Sequence, residues 1–482
     1  TYVAALSTQQ LRSLSTNAVA GLVSNDFGVL SSAQIGALTT HQVRAISTAV
    51  LSALSGETLA QLGTAQTAAL STGQVTSLTT AQLVGLLPGQ LASLGSTQLA
   101  SLSTDQLNSL TSNQFQAFGS AQIGALSTDQ VANLETEDLA ALSAAQMRGL
   151  TTAALVALDS ADLAALGTHQ LAGLSTVQLR ALEGADLGGL STAAVASLSS
   201  VQIGALTSAQ LAALSSEQLQ SLTATQLRGL NSAQLASLST DDLNALTSSQ
   251  FQALGSAQIA ALTSQQLHAL ESEDFAALSS AQLRGMETRD IAGLDSADLS
   301  VLSANQLSGL TSAQMRALAT EALSGISTET IAALGTNQVR SLTTAQIAGL
   351  STEQLNSLTS TQLRVLGSAQ LNALGTDDLN SLGTAQFAAL TSVQLSALSS
   401  NQIGNLATED FAALSTAQLR GIEAADFGAL TPSHLAVLSS TQIGALTSAQ
   451  LATLDSADVA AILTSSLPGL SATQVSALGT AQ

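Results

Sequence analysis

Large apolar residues recur along this chain in two phases of a single eight-residue frame. From Leu342 to Leu350 the chain reads Leu-Thr-Thr-Ala-Gln-Ile-Ala-Gly-Leu. The general phrase is Leu, Ser/Thr, Ser/Thr, any residue, Gln/Asp, Leu/Ile/Val, any residue and a small residue, numbered below as positions one to eight. Position one falls at Leu14, Leu22, Leu30 and Leu38 near one end and at Leu438, Leu446, Leu454 and Leu470 near the other. No insertion or deletion breaks the frame, and 482 residues hold about 60 such octads.

Three structures could carry a period of eight. In one long helix, two turns per octad would need four residues per turn, far from about 3.6, so the Leu stripe would wind around the helix. A Ser/Thr pair in every octad would also compete with the helix backbone. In a straight strand, positions one and six would face opposite sides, and Ala, Gln and Leu are poor strand formers. The remaining structure is a short helix restarted in every octad.

That reading gives each position a role. Ser or Thr at position two is a preferred N-cap, and the Gly at Gly63, Gly167 and Gly375 is acceptable there. Position five is then the third helical residue, so Gln completes a capping box with the cap residue. An acid at that position would favour the positive end of the helix dipole. Leu at position one and the apolar residue at position six form the pair of a hydrophobic staple. Pro88 and Pro432 both stand at position three, the first helical residue, where Pro fits best. The pattern therefore predicts helices of about one and a half to two turns, too short to stand alone and held by stacking. Val19, Phe27, Ile35 and Val43 illustrate the apolar freedom of position six; Thr67 is a polar exception, and Pro468 at position seven breaks the helical pattern. The expected fold is an all-α, continuous α-solenoid with one short capped helix per octad, running as a single array over residues 1–482.

Composition narrows the core and the partners. Hydrophobic residues make up 45% but aromatics only 2%, so the core is thin and built from Leu, Ile, Val and Ala. With 11 basic and 32 acidic residues the net charge is 11 − 32 = −21, and every basic residue is Arg. Such a surface repels phosphate, so neither nucleic acid nor anionic membrane is an expected partner. No apolar run approaches the roughly 18 residues of a spanning helix. Without Cys there are no disulfides or thiolate metal sites. The chain opens at position four and closes at position five with no polar capping repeat at either end. The expectation is a window on a longer array, or subunits that stack end to end.

A second, longer period overlies the octads. Asp105-Gln106-Leu107-Asn108 returns as Asp241-Asp242-Leu243-Asn244 and Asp377-Asp378-Leu379-Asn380, at steps of 243 − 107 = 136 and 379 − 243 = 136. Glu137-Asp138 returns as Glu273-Asp274 and Glu409-Asp410. Arg12, Arg148, Arg284 and Arg420 follow the same step, as do Arg44, Arg180 and Arg316, and Arg228 with Arg364. The superrepeat is 17 octads (136/8 = 17), and all nine of these Arg stand at position seven. It records block duplication, or it is an assembly period in which these Arg and acidic octads meet between coils or between chains. Each exposed pair would contribute only about 0–1 kcal/mol, so its value would lie in register.

No catalytic constellation is present, and the chain reads as a non-enzyme without cofactor. His41, His169, His268 and His434 lie far apart in sequence and are expected to be solvated surface residues. There is no Gly-x-Ser-x-Gly elbow, phosphate loop, dinucleotide fingerprint or Asp-rich Ca²⁺ loop. Thr-Thr and Ser-Thr pairs could order water as ice-binding repeats do, but capping occupies the position-two hydroxyl.

Phrases such as Leu238-Ser239-Thr240-Asp241-Asp242-Leu243 and Leu254-Gly255-Ser256-Ala257-Gln258-Ile259 resemble the octapeptide arrays of very large bacterial surface and secreted proteins, often labelled adhesion or haem-utilisation proteins. The resemblance implies an extracellular or cell-surface, elongated, structural or adhesive protein whose partners are itself and a cell surface or extracellular matrix. It carries over no binding residue, and nothing in the sequence supports haem. The expected function is a stalk, fibre or filament subunit. The alternative is a ligand-binding solenoid for a glycan, a peptide or Ca²⁺, with ice binding behind it.

Overall fold

The computed structural model describes residues 2–479 and 482. Among these there are 57 α-helices of four to six residues and three 3₁₀ turns, with no strand. The chain is thus an all-α solenoid with one short helix per octad. The helices span between one and two turns, slightly shorter than the sequence pattern predicts. The chain divides into two units, Thr1–Leu246 and Thr247–Gln482, and the same octad structure repeats in each.

Each helix starts as the capping residues dictate. At Thr344–Ala348 the Thr343 Oγ1 accepts from the Gln346 N–H at 3.1 Å, and Gln346 Oε1 accepts from the Thr343 N–H at 2.8 Å. Ser143 and Gln146 repeat the box at Ala144–Gly149. Pro88 and Pro432 open the helices Pro88–Ala92 and Pro432–Ala436. Around Pro468 the α-helix gives way to the 3₁₀ turn Leu467–Gly469, because Pro at position seven has no N–H for the helical ladder.

Helices end without a left-handed residue: no positive φ occurs among the described residues. The position-one residue goes extended instead, as at Leu142 (φ −65°, ψ 138°), and the next cap follows, as at Ser143 (φ −74°, ψ 162°). Two extended residues therefore turn the chain between successive helices.

The core runs along the inside of each coil. Residues at positions one and six, such as Leu342 with Ile347 and Leu142 with Met147, are buried along both units, except near the ends, where Leu14 and Leu22 are half-buried and Leu467 and Val475 are exposed. Burying one such side chain stabilises by about 1.5–3 kcal/mol. Phe side chains at position six are absorbed in the same way, and Phe115 meets Phe118 edge to face at 5.9 Å between ring centroids. The polar exception Thr67 is fully buried, and its hydroxyl donates to the Gly63 carbonyl at 3.2 Å. Helices three octads apart pack together, as Ser120–Ile123 does on Ala144–Gly149.

Candidate functional site

The element that defines this molecule is a row of buried glutamines at position five. Gln346 is 1% exposed although it is polar. Its Oε1 is occupied by the cap, and its Nε2 donates across the coil to the Met315 carbonyl at 2.9 Å and the Leu318 carbonyl at 2.8 Å. In the first unit Gln42 donates to Leu11 at 2.7 Å and Leu14 at 2.9 Å, and Gln146 to Phe115 at 2.7 Å and Phe118 at 2.9 Å. The acceptors lie 31 and 28 residues earlier, at position six of one octad and position one of the next. With the packed helices three octads apart and the bonds reaching back 28 and 31 residues, one coil takes between three and four octads.

The chemistry explains why position five is Gln. A short helix leaves both its first N–H groups and its last carbonyls unpaired. One glutamine side chain accepts at the start of its own helix and donates at the end of a helix one coil away. Glu could make the first bond but not the second, because a carboxylate has no donor. Each such bond contributes about 0.5–1.5 kcal/mol, and leaving a buried partner unmet costs about 1–3 kcal/mol. Sequence reasoning identified the capping half of this role and missed the donating half; a buried amide that is seldom replaced by Glu was the available signal.

Two substitutions in the row keep its bond across the coil. His434 was expected on the surface, but it is 4% exposed and takes the glutamine's place. Its Nδ1 accepts from the Thr431 N–H at 3.2 Å and its Nε2 meets the Leu406 carbonyl, 28 residues earlier, at 2.8 Å. The neutral ring with hydrogen on Nε2 satisfies both, and Phe411 packs edge-on at 5.3 Å. Imidazole matches the reach and polarity of the amide, which is why this His is inside. The Ser466 hydroxyl keeps the donating half alone, to the Leu438 carbonyl at 2.8 Å. His41, His169 and His268 are exposed, as expected.

Acids at position five form a separate group. Asp138, Asp274 and Asp410, read from sequence as first-turn surface charges, are buried. The neighbouring Glu137, Glu273 and Glu409 are exposed, as are Asp241 and Asp377, while Asp242 and Asp378 are half-buried. Burial is the main cause that pushes the Asp138 carboxyl up to about 6, with Glu135 and Glu137 adding to it. Asp274 is raised to about 6, first by burial and then by Glu271. Asp162, Asp298 and Asp410 are raised too, again chiefly by burial.

The nine superrepeat Arg, namely Arg12, Arg44, Arg148, Arg180, Arg228, Arg284, Arg316, Arg364 and Arg420, all lie exposed at position seven. Among them, the Nε groups of Arg148, Arg364 and Arg420 reach along the array and donate to the Gly173, Ala389 and Ala445 carbonyls, each 25 residues on. Their role there is to meet a helix-end carbonyl, as a cation near a helix C-terminus does. Ion pairs form at a different Arg: Arg289 contacts Glu287 at 2.9 Å and Asp290 at 3.6 Å. Asp290 is fully buried and accepts from the Ser264 hydroxyl at 2.6 Å.

Among the described residues no three His, Asp or Glu side chains converge to hold a metal ion, and no helix is long and apolar enough to cross a membrane. No curated protein matches the chain. Two solved structures are similar over long stretches. The leucine-rich repeat-containing protein LegL7 from Legionella pneumophila is 16% identical, with 47% of this chain and 78% of that one covered, at a TM-score of 0.15. A homology model of the full-length AP-3 complex in an intermediate open conformation is 12% identical, with 95% and 84% covered, at a TM-score of 0.18. At these TM-scores neither bears on the architecture. The model of the ALTTAQ repeat matches in tandem at residues 3–40, through overlapping blocks from 105 to 352, and at 371–408 and 421–456, more than half of the chain. Its name spells the octad from position eight to position five, Ala-Leu-Thr-Thr-Ala-Gln, ending on the glutamine of the buried row, and the chain belongs to the ALTTAQ repeat family.

Proposed function

We propose that this protein is a structural spacer, an elongated stalk, fibre or filament segment that works at a cell surface or outside the cell. The observation that supports the reading is the glutamine row, in which the same side chain makes the same bonds from coil to coil through each unit. A joint that repeats unchanged extends by repetition, and its stability accumulates from neighbour terms rather than from a closed globular core. The resemblance of the octads to arrays in large bacterial surface proteins supports the extracellular placement.

Small-angle scattering and negative-stain microscopy of the purified chain test this. The expected particle is a rod, and deleting one 136-residue block shortens it in proportion. A compact particle, or a length indifferent to the deletion, would overturn the spacer reading. Self-association is a finer part of the proposal. Replacing Arg148, Arg284 and Arg420 with Ala should weaken lateral assembly in sedimentation velocity while leaving the length of single particles unchanged.

A further inference from the structure

Asp138, Asp274 and Asp410 hold the glutamine position at steps of 274 − 138 = 136 and 410 − 274 = 136 residues. They are as buried as the glutamines, at 4%, 4% and 6% exposure. Yet an ionised Asp has no donor and is one methylene shorter than Gln. The cap in front of each is altered as well: Glu135, Glu271 and Ala407 make no side-chain cap bond. Asp138 Oδ2 is buried without a hydrogen-bond partner. Beside Asp274 the Ser248 hydroxyl works against the rise of its carboxyl. At the spacing set by Gln146, the carbonyls of Leu107 and Leu110 stand where an amide at residue 138 would donate. Leu379 and Leu382 stand in that relation to residue 410.

We propose that these three octads are acid-strengthened joints, one per superrepeat: the coil-to-coil clamp is missing while the carboxyl is ionised, and a proton taken from solvent gives the acid an O–H that restores the donor. On acidification the array then gains a clamp at each of these three octads, which stand 136 residues apart.

The surroundings of each acid favour proton uptake. Asp138 has Glu135 and Glu137 on its own segment; the packed helix Ser112–Gln116 brings no ionisable group, and Ser160–Ala165 brings Asp162 with Asp159 at its cap. The adjoining helices in sequence add Asp129 and Arg148. Asp274 has Glu271 and Glu273; Ser248–Ala253 brings none, and Ser296–Ser300 brings Asp298 with Asp295 at its cap. Its sequence neighbours add His268 and Arg284. Asp410 has Glu409; Thr384–Phe387 brings none, Pro432–Ala436 brings His434, and the following helix adds Arg420. The carboxyls of Asp138 and Asp274 rise from 3.8 to about 6. Between these values the folded chain binds more protons than the unfolded one. The contribution of these two carboxyls to stability is therefore full below about pH 4 and is lost as pH rises through about 6.

Hydrogen exchange of the full chain, read by mass spectrometry at about pH 7.5 and pH 5 and corrected for intrinsic rates, tests the proposal. Peptides over Thr136–Ala141, Ser272–Ala277 and Thr408–Ala412 should exchange about tenfold slower in acid, while Thr344–Ala348, with its Gln346, should not change. In the D138N/D274N/D410N variant, whose side chains keep a donor at every pH, the contrast should vanish. Single Asp→Gln variants, which restore the family residue, give the same readout if the triple variant folds poorly. An undiminished pH contrast in these variants, or wild-type joints that exchange like glutamine octads at both pH values, overturns the proposal.

Discussion

Gly149 lies against Ser120, 29 residues earlier, so closely that a Cβ on the glycine would stand 2.3 Å from the Ser120 carbonyl oxygen. Position eight is where the main chains of successive coils meet at these glycines, and the close approach leaves no room for a methyl group. Gly149→Ala should therefore destabilise by about 1–3 kcal/mol, the usual cost of overpacking. Gly36 offers the opposite case, since a Cβ there meets nothing within 4 Å and its φ is negative. Gly36→Ala should stabilise by about 0.5–1 kcal/mol through helix propensity. Thermal melts followed by circular dichroism compare the two, and equal signs would contradict the packing described for position eight.

Gln346→Glu keeps the acceptor that caps Thr343 and removes the donor to Met315 and Leu318. It also buries a charge. The expected cost is about 1–3 kcal/mol at neutral pH, and more than that of the same change at exposed Gln10. Urea denaturation of the two variants measures the difference. A Gln346→Glu chain as stable as wild type would mean that the cross-coil bonds contribute nothing.

At His434 the row should accept its usual residue. His434→Gln can make the same two bonds, to Thr431 and Leu406, and should stay within about 1 kcal/mol of wild type. His434→Leu fills the space but leaves the Thr431 N–H and the Leu406 carbonyl unmet, at a cost of about 1–3 kcal/mol. Melting of both variants, read side by side, separates hydrogen bonding from volume.

Glu135 occupies a cap position without capping. Glu135→Ser should supply the missing bond at the start of Thr136–Ala141 and stabilise by about 0.5–2 kcal/mol. It also removes one of the charges that raise Asp138, so the Asp138 carboxyl should titrate lower than about 6. Hydrogen exchange through a pH series reads both effects in the same peptide, and an unmoved titration would remove Glu135 as a cause.

Much of this was legible because the octad is a local code. Ser or Thr at position two, Gln three residues on and the apolar pair at positions one and six act within one helix and its entry, so the sequence alone predicts where each helix begins and which side chains enter the core. The 136-residue period is likewise a matter of sequence alone. Packing between coils was not legible, because nothing in one octad states which distant octad it meets. Only the tertiary structure places Gln346 on Met315 and Leu318, sets the coil at between three and four octads, and draws His434 and Asp138 inside. The physical reason is that helices this short finish with unpaired carbonyls, and the partner for those carbonyls has to come from the next coil.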